Sequence, residues 1–166
     1  FSKINAQSIK NGLQNVNRRG RAEWFDDDPP WLIDTSHNRE GMTQFLTVLE
    51  ETIKKRGIKH AGLVFASTRA GFLSHILEML APYFKDIVCT QSSSTRTVLA
   101  ADVHAIARRY FKRSAEAGGV KGAFELIKER NSEMDLIVFT GSLYLAGNAL
   151  ALREDPALLE YPFPNA

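Results

Sequence analysis

The sequence predicts an α/β fold with a mainly parallel sheet covered by helices on both faces. Three observations lead there. Short apolar runs alternate with amphipathic helical stretches from Trp31 onward. The runs are apolar at nearly every position, as expected of strands buried on both sides. Residues rich in hydrogen-bonding groups follow directly after the runs, at the edge where such sheets carry their ligands.

The elements follow in chain order. Ile9, Leu13 and Val16 fall on one helical face of a stretch at 5–16. A basic turn around Gly20 comes next, and Pro29 and Pro30 then disfavour both helix and central strand. "WLID" (31–34) reads as a short strand, and Met42, Phe45, Leu46, Leu49 and Ile53 mark a helix over 39–55. "HAGLVFA" (60–66) is a buried strand, followed by a helix over 71–81 that Pro82 ends. "DIVCT" (86–90) is a third strand and "SSSTRT" a polar loop. Val98, Val103, Ile106 and Tyr110 predict a helix over 98–112, which "AEAGG" breaks; Phe124 and Ile127 predict another over 120–130. "DLIVFT" (135–140) is the clearest strand, "GSLYLAGNALALRE" begins a last helix, and the tail at 156–166 reads as irregular. The expected organisation is a helix and linker at 1–24, one domain at 25–155, and that tail.

Bulk properties bound the function. With 166 residues, 44% hydrophobic and 24% charged, the chain suits one domain with a real core. A net charge of +2 gives no argument for nucleic acid or a membrane surface. No apolar run is long enough to span a bilayer, and no signal peptide is visible. The lone Cys89 excludes an internal disulfide and fits a reducing, cytoplasmic setting; within "DIVCT" it reads as a buried, inert thiol. The chain begins at Phe1 rather than Met, and a piece of a longer protein is expected.

The loops after the strands hold the chemistry. Asp34 ends its strand, where a carboxylate can accept ribose hydroxyls, help hold a metal, or simply cap the next helix. His37 is placed to touch a ligand ring or phosphate, or to bond locally. No second His or Cys lies at metal-ligand spacing, so no metal ligand is assigned. Asn38 suits an N-cap, with Glu40 in the first turn. "TGS" (140–142) repeats the arrangement at another strand end: Gly141 permits positive φ, and Ser142 can cap a helix or bond a carboxylate. Arg96 can pair with carboxylate or phosphate or remain solvated, and "RRGR" (18–21) can reach phosphate or serve as a basic linker. Neither G-x-x-x-x-G-K-[ST] nor G-x-G-x-x-G occurs, so a nucleotide's phosphates would need another domain.

Three segments taken together, "IKNGLQNVNRRGRAEW", "LIDTSHNREG" and "DLIVFTGSLYLAG", resemble the C-terminal part of folylpolyglutamate and dihydrofolate synthases in the Mur ligase superfamily. The usual family patterns are G-L-x-x-x-x-W-P-G-R-x-E, D-G-A-H-N-P and T-G-S-L-Y-L-x-G; the likeness to them runs in that order over roughly residues 4–152, and the last is matched in full. The resemblance implies a Rossmann-like C-terminal domain that closes over a central domain of the same chain, which holds the phosphate loop, Mg²⁺ and most of the folate site. It implies an ATP-dependent amide ligase: ATP phosphorylates a folate carboxylate, and the amine of glutamate attacks the acyl phosphate. By position, Arg21 matches the arginine that reaches the ATP phosphates and Asp34 the aspartate that contacts the nucleotide. His37 matches the catalytically important histidine of the same turn, and Ser142 the serine at the glutamate end of the site. The isolated domain is then expected to be inactive.

The sequence also departs from the family. Arg18-Arg19 replaces Trp-Pro, Thr35-Ser36 replaces Gly-Ala, and Arg39 replaces Pro. After the second strand the family has F-G and an acidic, lysine-bearing run, whereas "VFASTRAGF" (64–72) keeps Arg69 as its one charge. Two alternatives therefore stand beside the leading reading. One is a dihydrofolate synthase or a related Mur-type ligase for another acid; the other is a diverged, non-catalytic ligand-binding domain.

Overall fold

The computed structural model describes residues 4–16, 18–130 and 133–155; the expected irregular tail lies outside the described residues. The elements are α1 (Ala6–Gln14), β1 (Glu23–Phe25), β2 (Trp31–Ile33), α2 (Arg39–Arg56), β3 (Ala61–Phe65), α3 (Leu73–Leu80) and β4 (Asp86–Cys89). They continue with α4 (Ala100–Ala107), β5 (Arg113–Glu116), α5 (Val120–Arg130), β6 (Leu136–Thr140) and α6 (Leu143–Glu154). The strands form one six-stranded sheet in the order β1-β2-β6-β3-β4-β5. Every neighbouring pair is parallel except β1 with β2. The expected fold class is the observed one.

Strand alternation divides the core in two. Leu32, Leu63, Phe65, Ile87, Cys89 and Val138 point to the face covered by α2, α3 and α4. Ile33, Val64, Val88, Ile137 and Phe139 point to the other, covered by α5 and α6. Both faces of each central strand are therefore buried, which explains the unbroken apolar runs.

Two strands were not expected. β1 lies in the stretch read as linker, and its pairing of Phe25 with Trp31 carries the sheet across the boundary drawn after residue 24. β5 lies in the stretch read as a helix end and break. The helix expected over 98–112 stops at Ala107, because the chain turns at 108–110 to enter β5 beside β4. Phe111, beyond the helix end, still packs into the first core. α1 forms within the expected stretch but ends at Gln14, and its apolar residues Ile9 and Leu13, with Val16 just beyond its end, are exposed.

Topology positions the site. From β2 through β3 and β4 to β5 the chain advances in one direction with its helices on one face. It then returns through α5 to β6, which inserts between β2 and β3. Connections of one hand require the returning helices to lie on the opposite face. The loop after β6 thus leaves to one side of the sheet while those after β2 and β3 leave to the other. This opens a crevice at the carboxyl ends of the three strands.

Candidate functional site at the strand carboxyl ends

The turn after β2 is held by its own side chains. Asp34 is 4% exposed. One carboxylate oxygen accepts the backbone N–H of Ser36 at 2.7 Å, and the other that of Ala22 at 2.9 Å. The residue therefore ties the basic turn before β1 to the end of β2. Asn38, not Asp34, caps α2, accepting the Gly41 N–H at 2.8 Å. Thr35 and Ser36 are buried, and the Thr35 hydroxyl has no hydrogen-bond partner.

His37 is half-buried, with Nδ1 3.0 Å from the Thr35 carbonyl oxygen. A carbonyl only accepts, so Nδ1 carries the hydrogen and Nε2 of the neutral ring is left as the acceptor.

The turn after β6 interlocks with the first. Gly141 donates its N–H to the Ser36 carbonyl at 3.0 Å. Its φ is +105°, and a Cβ there would lie 2.4 Å from both the Ala66 carbonyl oxygen and the Phe65 ring, so only glycine fits. Ser142 is 1% exposed and caps α6, accepting the N–H groups of Tyr144 at 3.2 Å and Leu145 at 3.5 Å. Arg21 is exposed and lies next to Ala22, which Asp34 holds; its guanidinium has no partner among the described residues.

These turns border a cavity of about 160 Å³, lined by His37, Thr68, Arg69, Arg96, Leu143 and Tyr144. The lining comes from the loops after β2, β3, β4 and β6. The loop after β3 is shaped by Ser67, whose hydroxyl oxygen accepts the Arg69 N–H at 3.1 Å and whose carbonyl accepts Val98 N–H at 2.8 Å. The loop after β4 is pinned to α6 where Ser93 N–H donates to Asn148 at 3.0 Å. Arg96 donates to the Tyr144 hydroxyl at 3.4 Å. This contact, followed by the charge of Arg96 and a bond from Ser94, holds the Tyr144 phenol below the ordinary tyrosine range.

Of the four site residues singled out in the sequence, His37 alone lines the cavity. Asp34 and Ser142 are buried in the turns that lead into lining residues, and neither they nor Arg21 line the cavity. Tyr144 was missed. Its one sequence signal is that an aromatic residue directly follows the capping turn of α6, at a helix position facing outward. No group of three His, Cys, Asp or Glu residues able to hold a metal occurs among the described residues.

A mainly parallel α/β sheet, a cationic crevice at its reversal point and a basic segment pinned to the same edge give the strand-end loops the chemistry to receive an anionic ligand. Known proteins make the class more specific. No family model matches the chain. It is similar to the dihydrofolate synthase/folylpolyglutamate synthase of Bacillus subtilis strain 168, with 24% identity over 142 residues, covering 85% of this chain and 32% of that protein. Its structure is similar to Mycobacterium tuberculosis folylpolyglutamate synthase complexed with ADP, with a TM-score of 0.76, 22% identity, and 92% of this chain on 36% of that one. It is also similar to E. coli FolC in complex with DHPP and ADP, with a TM-score of 0.76, 15% identity, and 93% of this chain on 36% of that one. The chain thus spans about a third of the length of its relatives and has the fold of their C-terminal portion.

Proposed function

We propose that the chain is the C-terminal domain of an ATP-dependent amide ligase that adds glutamate to folates through an acyl phosphate, working in the cytoplasm. The observation that carries this reading is the cationic cavity at the reversal point of the sheet, in a fold shared with folylpolyglutamate synthases over nine-tenths of the chain. In this reading the substrates are ATP, glutamate and a folate, and the chain's partner is the central domain of the same polypeptide. His37 contributes Nε2 at the cavity wall and acts near the reacting groups. Arg21 reaches the ATP phosphates from the basic turn. Asp34 sets that turn against the strand end and presents its remaining lone pairs toward the nucleotide. Ser142 sets the start of α6 at the glutamate end.

The residues described do not fit a self-contained Mg²⁺ site, since no acidic cluster faces the cavity. The metal and the triphosphate are accordingly assigned to the central domain, and this chain's share is positioning and charge stabilisation. Exposed apolar residues at the same edge support a closing role. Phe72 is 59% exposed, Leu99 56% and Leu143 60%, each at the start of a helix that follows a strand.

The test is ADP release by the full polypeptide in a coupled assay with folate and glutamate varied. Release that requires both substrates is expected. ATP turnover with dihydropteroate alone as acid would point to dihydrofolate synthesis. Binding of folate or nucleotide without turnover would favour the non-catalytic domain, a reading that the loss of acid and lysine from the 66–72 loop favours.

A further inference from the structure

Another cavity, of about 220 Å³, lies at the opposite edge of the sheet, where β3, β4 and β5 begin and the turn after α3 closes over them. Lys59, His60, Lys85 and Arg113 line it, against the single carboxylate of Asp86. That carboxylate is buried and already committed. Arg113 donates to its Oδ2, and Arg130 Nε stands 3.8 Å from its Oδ1 without completing a hydrogen bond. One carboxylate thus meets two guanidinium groups, and the cluster keeps an excess of positive charge. Lys59 and Lys85 are exposed and make no ion pair or side-chain hydrogen bond among the described residues. The other acids of this edge are engaged as well. Asp135 accepts the backbone N–H groups of Lys59 and His60, Glu133 stands 3.9 Å from His60, and Glu50 accepts the Tyr83 hydroxyl. The turns between α4 and β5 bring Arg108, Arg109 and Lys112 to the same edge, all exposed and without ion pairs among the described residues.

We propose that this cavity binds a phosphate dianion, either the free ion or the phosphomonoester group of a small molecule. The site uses none of the strand-end residues and does not depend on the ligase reading. Its free cations are lysines, whose ammonium groups are compact point charges rather than planar forks. They select for charge more than for carboxylate geometry, and a phosphomonoester near pH 7 carries about −1.5 to −2 against the single charge of a carboxylate. The helices work against an anion here, because α2 and α3 both end at this edge and present the negative ends of their dipoles. Binding therefore depends on the lysines. Size limits the rest of the ligand. At about 220 Å³ the cavity is below the roughly 300–1,000 Å³ of clefts that enclose drug-sized ligands, so it admits the phosphate group and little of what the group is attached to. The five residues of β3 separate it from the strand-end crevice by roughly 17 Å, at about 3.3 Å per residue. A phosphate bound here acts on the protein as an effector and not as a reacting group.

Nuclear magnetic resonance of the full polypeptide tests the site, with ¹³C-labelled histidine rings and the His60 signal assigned from His60→Gln. Inorganic phosphate and methyl phosphate are titrated separately near pH 7 at constant ionic strength. The His60 signal should move saturably with at least one of them. Tighter half-saturation by methyl phosphate assigns the site to an organic phosphate, and tighter half-saturation by inorganic phosphate assigns it to the free ion. Lys59→Ala and Lys85→Ala should each raise the half-saturating concentration roughly tenfold, as expected for losing a hydrogen bond to a charged group. Both side chains are exposed, so neither change threatens the fold. Lys85→Arg should stay within about threefold of the wild type, because it keeps the charge on which binding depends. The absence of saturable movement with either probe overturns the proposal. Movement that sodium chloride reproduces, or that persists unchanged in both lysine→alanine variants, does the same. His37 reports on the strand-end crevice separately, and movement of His37 without His60 would place the phosphate there and overturn the site at this edge.

Discussion

At the end of β2 one buried carboxylate accepts backbone N–H groups from two separate segments, so Asp34 serves the fold whatever else it does. Removing it leaves the Ala22 and Ser36 N–H groups without partners, at a cost of about 1–3 kcal/mol each when fully buried. Asp34→Ala should therefore lower stability by about 2–4 kcal/mol, or Tm by roughly 4–16 °C for a domain of this size. Thermal unfolding followed by circular dichroism checks this, and an unchanged Tm would show that the two N–H groups find water instead. His37 behaves differently, because it is half-buried and makes a single local bond. His37→Ala should cost no more than about 1 kcal/mol of stability while reducing turnover of the full polypeptide at least tenfold. Full turnover in that variant would remove the residue from the site. Gly141 is the most intolerant position of the edge. Gly141→Ala meets both a positive φ and the Ala66 carbonyl, so a loss above about 3 kcal/mol is expected, read as a shift in the urea midpoint.

Elements are held in register by contacts of the same kind at the opposite edge. Asp135, just before β6, accepts the N–H of Lys59 at 2.8 Å and that of His60 at 3.0 Å, tying the entry of β6 to that of β3. The Lys59 N–H holds its carboxyl below the ordinary aspartate range, burial works against that shift, and the His60 N–H adds to it. A folded value below the unfolded one gives stability that is complete above the unfolded pKa of about 4 and is lost as pH falls through the lower folded value. Asp135→Ala should cost about 1 kcal/mol near pH 7, modest because the group is solvated, and the gap from wild type should close on the acid limb. A gap independent of pH would trace the loss to packing. The same scale shows what was legible in the sequence. β2, β3, β4 and β6 and the helices α2, α3, α5 and α6 declare themselves because burial on both faces or one apolar stripe dictates their composition. β1 and β5 do not, because both are edge strands. "EWF" is three residues long and never fully buried, and "RSAE" contains no large apolar residue. Each acquires its strand character from a neighbour's unpaired edge, which local pattern does not encode.

The candidate site belongs to the scale of the whole molecule. The rule that ligands sit beyond strand carboxyl ends pointed to the loops that line the cavity, His37 among them. Which side chains meet there depends on β6 inserting between β2 and β3, which brings residues from 37 to 144 around one cavity. Tyr144 was illegible for that reason, whereas Asp34 and Ser142 were visible, and the structure has their oxygens already accepting backbone N–H groups. The central sheet, packed on both faces, also predicts how the molecule opens. Cys89 ends β4 fully buried in the core under α2, α3 and α4, and burial, with a smaller contribution from Glu116, pushes its thiol up to about 12. At pH 8 its thiolate population is then about a thousandfold below that of an ordinary cysteine near 9, and no reagent has a path to it in the closed fold. Labelling requires β4 to separate from the helices above it, which breaks contacts to β3 and β5 as well, so the opening should be global. Iodoacetamide should therefore modify native protein at a rate that rises with urea in proportion to the unfolded fraction, with the slope of global unfolding. Rapid labelling at pH 8 with the far-ultraviolet circular dichroism intact would mean that β4 opens by a local route and that the two cores do not unfold as one unit.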